Sequence, residues 1–425
     1  MIEKKQNSIF LMFIFGMTAL LFIRDVIGIG FNKLIFVGFS LPFFLFSPIN
    51  ICASMLCFLF PLAWGLPYAY VFGGAIIIYW VKRKRAIGSV LWLIIFFTLL
   101  EMIASIWYTQ IDYNLIFKYL SVLMIFFTLL YDDYTNKELC VKAFLVGTIV
   151  LCLIIIITTF KSAPSNWLYL FSNGWFRFGN KQSENIEGMM LSVNANTLAY
   201  YSVIGCALAY NIIPVTKGVK KILYIIAFSL FAISGVFTVS FSWMIVMLIC
   251  TLLFVFTQTK SIKAAILTCI GIIAVIIIAR IVLLRTPELL TAITTRIATI
   301  NISTGHGRTE LFREYHNAFW NSFRFVAIGT GVTQYKQVTN VSNSFHNMIQ
   351  QVFVSYGLIG GGVFFIGMLA PMKKIERNTT TLLAWIPMIA VLLFAQTIQF
   401  INPEVLMLPY VIAFYVLRIS SLRNM

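Results

Sequence analysis

The chain has 425 residues, of which 60% are hydrophobic and 11% are charged, and its formal net charge is +17 at pH 7. This composition, with a mean hydropathy of +0.92, excludes a soluble globular domain and predicts a single integral membrane domain over residues 1–425. The basic excess would suit a nucleic-acid-binding protein, but the basic residues cluster in short breaks between apolar runs. That distribution argues against nucleic acid as a partner.

The first predicted element is an apolar run over 8–23, which follows Lys4 and Lys5. Because Arg24 follows it directly and no small-residue cleavage site is present, we interpret the run as an uncleaved span rather than a signal peptide. The next stretch, 34–80, carries four prolines and fits either one span or three short ones. A cytoplasmic N-terminus then gives 12 or 14 spans, and we favour 12.

Ten more apolar segments follow Arg85, and the basic clusters between them set their orientation. The segments lie at 86–106, 114–131, 139–160, 191–213, 222–238, 242–257, 264–284, 346–370, 381–399 and 405–417. They place every basic cluster on one side, as the positive-inside rule requires. The break at 132–138 is not basic and is the weak point of this pattern. The sequence therefore predicts an all-α transmembrane bundle of about 12 spans with a cytoplasmic C-terminus.

The seven cysteines lie in or at the ends of apolar segments and form no CxxC pair. We interpret them as small core residues rather than as disulfides or metal ligands. Neither long polar loop carries an Asp-rich or His-rich motif, and we expect neither a metal nor another cofactor.

Two long polar segments, 161–190 and 285–345, fall on the extracytoplasmic side of this topology. The second is too long for a structureless loop, and within it 310–323 has the period of an amphipathic helix. Such a helix would lie on the membrane surface or cap the bundle. Its apolar face would carry Leu311, Tyr315, Ala318, Phe319 and Phe323.

The second loop and the span after it carry a recognisable series of motifs. The series is Gly307-Arg308, the aromatic helix, Gly329-Thr330-Gly331, Ser344-Phe345-His346-Asn347 and Tyr356-Gly357-Leu358-Ile359-Gly360. It resembles the C-terminal signature of the bacterial O-antigen ligase and polymerase superfamily, which runs Gly-Arg, aromatic helix, Gly-x-Gly, His-Asn and Gly-Leu-x-Gly.

A second match lies at the first outer loop. Arg177-Phe178-Gly179 and Asn194-Ala195-Asn196 resemble the Arg-x-Gly and Asn-Pro-Asn elements of the same superfamily. Ala195 stands where the family often has proline, and Ser240-Phe241-Ser242 stands where many members have Ser-Arg. The two matches together cover residues 175–370.

A repeated spacing tilts the interpretation from ligase towards polymerase. Polymerases of this group are described by an arginine, ten residues and a glycine in each outer loop. Arg177 to Gly188 and Arg296 to Gly307 both fit. The resemblance therefore implies an O-antigen or capsular polysaccharide polymerase, a glycosyltransferase of the bacterial cytoplasmic membrane. It would join oligosaccharide repeat units carried on undecaprenyl pyrophosphate. Membrane lipids and a chain-length regulator would be its other partners.

Such a transfer requires cations against the pyrophosphate and a base for the acceptor hydroxyl. Arginine donates bidentate hydrogen bonds to phosphate and keeps its charge, and the candidates are Arg177, Arg296, Arg308 and Arg280. For Arg280, which lies in an apolar run, snorkelling to the interface is the alternative. Histidine suits the base, because its pKa lies near neutral pH.

His346, at the junction of loop and membrane, is the predicted base, and an interfacial or capping role is the alternative. His306 and His316 are expected to be solvated loop and helix-surface residues. Asn194, Asn196 and Asn347 would position the substrate. Glu101 and Glu404 would pair with an arginine or an acceptor sugar, although we favour a structural role for both.

Two other functions remain open. A ligase would transfer the glycan to lipid A-core or another acceptor. No feature of the sequence identifies which acceptor is used. A lipid-linked oligosaccharide flippase would have a similar length and span count, with a cationic cavity lined by charges inside the membrane. The scarcity of charge within the spans argues against the flippase.

Overall fold

The computed structural model describes residues 2–84, 88–107, 111–163, 165, 167, 177–179, 191, 193–258, 291, 308–333, 335–339, 341, 346–375, 381–401 and 404–423. These residues form helices and connecting turns, without a β-strand. Several predicted features lie outside the described residues: Arg280, Arg296, His306, Cys269, the predicted span at 264–284, most of the outer segment 161–190 and a little under half of the outer segment 285–345.

Sixteen α-helices are named here in chain order within those ranges. They are α1 (Ile2–Phe22), α2 (Leu34–Phe46), α3 (Ile49–Leu59), α4 (Tyr68–Arg83), α5 (Gly88–Ser105), α6 (Tyr113–Tyr131), α7 (Lys137–Lys161), α8 (Ala195–Ile212), α9 (Gly218–Phe237), α10 (Phe241–Gln258), α11 (Arg308–Trp320), α12 (Phe323–Ile328), α13 (Tyr335–Thr339), α14 (Met348–Leu369), α15 (Leu382–Ala395) and α16 (Leu408–Arg423). Short 3₁₀ and π turns extend several of them.

Eight helices of the described chain are long and apolar enough to cross a membrane, which makes this an all-helical, multi-pass membrane protein by the length and composition of its helices. They are Ser8–Ile27, Gly88–Ser105, Tyr113–Tyr131, Lys137–Lys161, Ala195–Val215, Gly218–Phe237, Phe241–Gln258 and Met348–Lys374. Shorter apolar helices, α2, α3, α15 and the segment Val405–Ser421, pack among them. The six described cysteines are buried free thiols, as predicted.

The stretch 34–80 folds as the three helices α2, α3 and α4 rather than as one span. Pro48 is the N-cap of α3 and Pro67 that of α4, so two of the prolines mark helix starts, where their missing N–H costs nothing. Pro42 stays inside α2. The structure thus shows three helices here, of which α2 and α3 are short apolar helices, and the count of 12, which assumed one span here, is not confirmed.

Acidic residues in the non-basic break at 132–138 bind the basic residues of neighbouring breaks. Arg83 lies 3.4 Å from the buried carboxylate of Asp132. Asp133 contacts Lys374 at 2.5 Å and Arg418 at 3.6 Å. The departure from the basic pattern therefore has a structural reason, because this break forms ion pairs with one residue from each of three basic clusters around it. We call this end of the bundle the basic end.

The opposite end carries the loops and is here called the loop end. Lys161, at the end of α7, donates a hydrogen bond of 2.8 Å to the carbonyl of Val26. Arg24 and Asp25 form a fully buried bidentate pair with nitrogen–oxygen distances of 2.8 and 2.7 Å. Arg24 also donates to the carbonyl of Gly65 at 2.6 Å. This pair thus joins α1 to the turn before α4.

Candidate functional site

The helix α14 breaks at Gly357, where φ is +68° and ψ is −172°. A Cβ atom at this position would stand 2.4 Å from the carbonyl oxygen of Ala327. Gly329 has a φ of +78°, and its Cβ would stand 2.3 Å from the carbonyl oxygen of Ser355. Only glycine combines this backbone conformation with such close approach. The Gly-x-Gly and Gly-Leu-x-Gly elements of the sequence signature are therefore packed against each other.

Hydrogen bonds join the same two elements. The backbone nitrogens of Thr330 and Gly331 donate to the carbonyls of Val354 and Ser355, both at 2.9 Å. The Thr330 hydroxyl also donates to the Val354 carbonyl at 3.2 Å. Backbone carbonyls beside a helix break need new donors in an apolar environment. The loop at 329–333 supplies them, which explains why a broken helix is tolerated here.

The carboxylate of Glu101 on α5 holds the loop at 329–333 in place. Glu101 is 2% exposed, and its oxygens accept hydrogen bonds from the backbone nitrogens of Val332 and Thr333 at 2.9 and 3.2 Å. The Thr333 hydroxyl donates to the same carboxylate. A buried carboxylate with several donors is a structural anchor. The structural interpretation of Glu101 is confirmed.

His346 and Asn347 lie where the chain enters α14. The Asn347 side chain caps the helix, because its Oδ1 accepts from the backbone nitrogen of Gln350 at 2.9 Å. Its Nδ2 donates to Oε1 of Gln396 at 3.1 Å, at the end of α15. Asn347 therefore fixes the backbone on which the half-buried His346 stands. Its predicted contact with substrate stays a prediction.

Gln351 is a second tie between α14 and the loop after α15. The side chain is fully buried, and its Oε1 accepts from the backbone nitrogens of Phe400 and Ile401 at 2.7 and 2.9 Å. The sequence analysis missed both Gln351 and Gln396. A signal was present, since uncharged amides inside apolar spans are costly unless they are hydrogen-bonded.

The amphipathic helix of the second loop is present as α11. Leu311, Tyr315 and Phe319 are buried as predicted, but Phe323 is 86% exposed because α11 ends at Trp320 and a new helix begins. The buried face packs on Val354 of α14. The helix therefore caps the bundle.

The first turns of α11 and α14 lie side by side, because Gln350 donates from Nε2 to the carbonyl of Phe312 at 2.7 Å. Arg308 is the first residue of α11, so its backbone lies about one helical turn before Phe312. Its side chain lies outside the described part of the structure. His316 is exposed on the opposite face of the helix, as predicted.

The two elements of the first outer loop also contact each other. Phe178 is buried, donates from its backbone nitrogen to the carbonyl of Phe237 at 3.1 Å, and stacks on that ring at 4.9 Å. A Cβ at Gly179 would lie 3.0 Å from the Val193 carbonyl and 3.1 Å from that of Asn194. This packing holds the half-buried Arg177 beside the start of α8.

Asn194 and Asn196 are structural in their described contacts. Asn194 caps α8, accepting from the backbone nitrogen of Thr197 at 2.8 Å. Asn196 accepts from the hydroxyl of Ser240 at 3.1 Å. Ser240 belongs to the segment that replaces the Ser-Arg of the resembling family. The start of α8 is thereby joined to the start of α10, and substrate positioning by these asparagines stays a prediction.

The two groups of motifs meet through α15. Asn347 contacts Gln396 just after α15, and the rings of Tyr200 on α8 and Phe394 on α15 lie 5.3 Å apart. The Tyr200 hydroxyl is buried and has no hydrogen-bond partner among the described residues. The polar groups near His346 and those near Arg177 therefore lie on either side of the C-terminal end of α15.

Three helices begin at the loop end. The N-termini of α8, α11 and α14 all lie in this region, and a helix N-terminus carries partial positive charge. No group of three or more His, Cys, Asp or Glu side chains comes together in the described ranges. In comparisons with known proteins, no family model and no curated sequence matches this chain.

Proposed function

We propose that this protein is a glycan polymerase of the bacterial cytoplasmic membrane, which joins oligosaccharide repeats carried on a polyprenyl pyrophosphate. The observation that supports the proposal most strongly is the packing of Gly329 on Gly357. Sequence elements that resemble motifs of the O-antigen ligase and polymerase superfamily are in direct contact, which chance resemblances would not require. The elements of the first outer loop support it in the same way.

The orientation of the bundle supports an outer-face reaction. The basic end is cytoplasmic by the positive-inside rule, so the loop end, with His346 and Arg177, faces outwards. If α2, α3 and α4 each cross the membrane, the helices together with the predicted span at 264–284 give 14 crossings. This is the higher of the two span counts that the sequence left open. Both termini are then cytoplasmic, and both long polar segments are outside.

In the proposed reaction the acceptor is a sugar hydroxyl at the non-reducing end of an incoming repeat unit. Its oxygen attacks the anomeric carbon of the growing chain while His346 takes the hydroxyl proton. The bond between the anomeric carbon and the pyrophosphate oxygen breaks, and the leaving pyrophosphate takes the electron pair. Arg177, with Arg296 and Arg308, would stabilise its charge.

The neighbours of His346 support its role as a base. Asn347 fixes the helix start by the cap and by its bond to Gln396, so the imidazole is presented from a rigid position. General-base catalysis requires such positioning within hydrogen-bond reach of the acceptor hydroxyl. The packing of both groups of motifs at the end of α15 supports a site that Arg177 and His346 share on one side of the membrane.

A gene deletion in the native host tests the proposal against the ligase and the flippase. Loss of a polymerase leaves a single repeat unit on the final acceptor, loss of a ligase leaves none, and loss of a flippase strands the lipid-linked repeats on the cytoplasmic side. We expect the single-repeat product. Full-length glycan in the deletion strain would contradict the proposal.

A further inference from the structure

A cavity of about 600 Å³ opens at the basic end, far from the proposed active site. It lies between α7, α8, α9, α15 and α16, and its polar wall includes Lys142, Lys217, Lys220 and Glu138. Its volume is in the range of small-molecule sites. The proposed glycan transfer at the loop end does not use it, so the inference below is independent of that function.

The charges at the cavity are unbalanced. Glu138 contacts Lys142 at 2.8 Å and neutralises it, which leaves Lys217 and Lys220 as an excess of positive charge. Both stand at the start of α9, whose first turn holds no acidic residue. Cations are unfavourable at the positive end of a helix dipole. An anion seated there would be stabilised by both lysines and by the free backbone N–H groups of the first turn.

A narrow apolar groove continues from the cavity along the helices. Its volume is about 140 Å³, and Lys142 and Tyr224 line both spaces. The groove runs between α7 and α9 past Leu145, Ile149 and Phe231. From Lys142 to Ile149 the helix rises about 10 Å, a large part of one leaflet's hydrocarbon depth of about 15 Å.

We propose that this cavity and groove bind an anionic phospholipid of the leaflet at the basic end. The phosphate headgroup lies against Lys217 and Lys220, and one acyl chain follows the apolar groove. Basic pockets between transmembrane helices on the cytoplasmic side suit anionic headgroups. A free phosphate compound would use the lysines but would leave the groove unoccupied, which is why a lipid fits both parts better.

The test compares lipids bound to the purified protein. Native mass spectrometry and thermal unfolding would be measured in detergent with added phosphatidylglycerol, phosphatidylcholine or glycerol 3-phosphate. We expect selective retention of phosphatidylglycerol and a higher Tm with it alone. Equal retention of phosphatidylcholine would overturn the proposal, and so would glycerol 3-phosphate binding as tightly as the lipid.

A matched pair of variants locates the site. Lys220 lines the cavity, whereas Lys221, the next residue on the same exposed helix turn, does not. We expect Lys220→Gln to weaken phosphatidylglycerol binding about fivefold and Lys221→Gln to change it less than about twofold. Equal effects of the two variants would show a general charge effect and would overturn the site.

A third variant tests the groove separately from the charges. Ala227 lies in the groove wall, and Ala227→Phe would fill it. The expected result is weaker binding of phosphatidylglycerol with no change for glycerol 3-phosphate. Unchanged lipid binding in a folded Ala227→Phe protein would show that no acyl chain occupies the groove.

Discussion

Gly329 lies so close to Gly357 that a Cβ atom on Gly329 would stand 2.5 Å from the backbone nitrogen of Gly357. The loop at 329–333 and the break in α14 thereby form one structural unit. In this unit the loop donates hydrogen bonds to the carbonyls that the helix break leaves without donors. His346 stands one short helical segment before the break, so this unit supports the proposed base. The stability of this unit can be tested by substitution.

Replacing Gly357 by alanine should damage this unit. The positive φ and the clash with Ala327 each cost free energy, and we expect the free energy of unfolding to fall by about 2–4 kcal/mol. Thermal unfolding in detergent measures the change. Gly362, on the same helix with open space where a Cβ atom would stand, is the matched control. A Gly362→Ala variant as unstable as Gly357→Ala would contradict the explanation.

Replacing Glu101 by glutamine should release the loop at 329–333. The amide keeps one acceptor oxygen, so its NH2 group would face the backbone N–H of either Val332 or Thr333 and leave that donor without an acceptor; we expect a loss of about 2–3 kcal/mol. Glu138→Gln, which removes an exposed pair with Lys142, should cost less than about 0.5 kcal/mol. Equal Tm shifts for the two variants would refute the anchoring role.

Gln351 offers a test that separates hydrogen bonding from packing. Gln351→Leu leaves the buried N–H groups of Phe400 and Ile401 without an acceptor, and we expect a loss of about 2–4 kcal/mol. Gln351→Glu keeps an acceptor oxygen at the position of Oε1, which accepts both hydrogen bonds, and should recover part of this loss at neutral pH. The account fails here if the leucine variant is as stable as the natural protein.

Part of this architecture was predictable from the sequence. The amphipathic period of α11 correctly predicted that Leu311, Tyr315 and Phe319 are buried, because a helix face follows from local spacing. Phe323 continued the same period, yet the helix ends before it. The stretch 34–80 stayed ambiguous, since proline permits a helix start as readily as it disfavours a helix interior.

Long-range partners were not predictable from one sequence. Glu101 binds Val332 and Thr333, and Asn347 binds Gln396, through contacts that have no local pattern. The same holds for Asp132 and Asp133, whose acidic break looked like an exception to the charge rule. Only the three-dimensional packing shows that this break binds the basic clusters near it.

The ion pairs of Asp133 predict a pH dependence. Burial alone would raise the pKa of Asp133, but Lys374, Lys137 and Arg418 outweigh it and lower that pKa below its ordinary value of 3.8. A lowered pKa stabilises the folded state above the ordinary value, and this stabilisation is lost as the pH falls through the folded pKa. At neutral pH the pairs are fully formed.

Asp133→Asn should therefore lower the Tm at pH 7 and have less effect as the pH approaches 3. Because the carboxylate is 55% exposed, we expect less than about 1 kcal/mol at pH 7. Thermal unfolding of both proteins across this pH range measures the difference. A difference that is constant with pH would show that the carboxylate charge contributes nothing.

The central claim is that His346 takes the proton from the acceptor hydroxyl. The most direct test uses protein reconstituted in vesicles with purified lipid-linked repeat units, and measures glycan chain length for His346→Ala and His316→Ala. His316 is exposed on the outer face of α11, so it is the matched control. The account predicts at least about a hundredfold loss of polymerisation for His346→Ala and full activity for His316→Ala. Full polymerisation by a folded His346→Ala protein would contradict it.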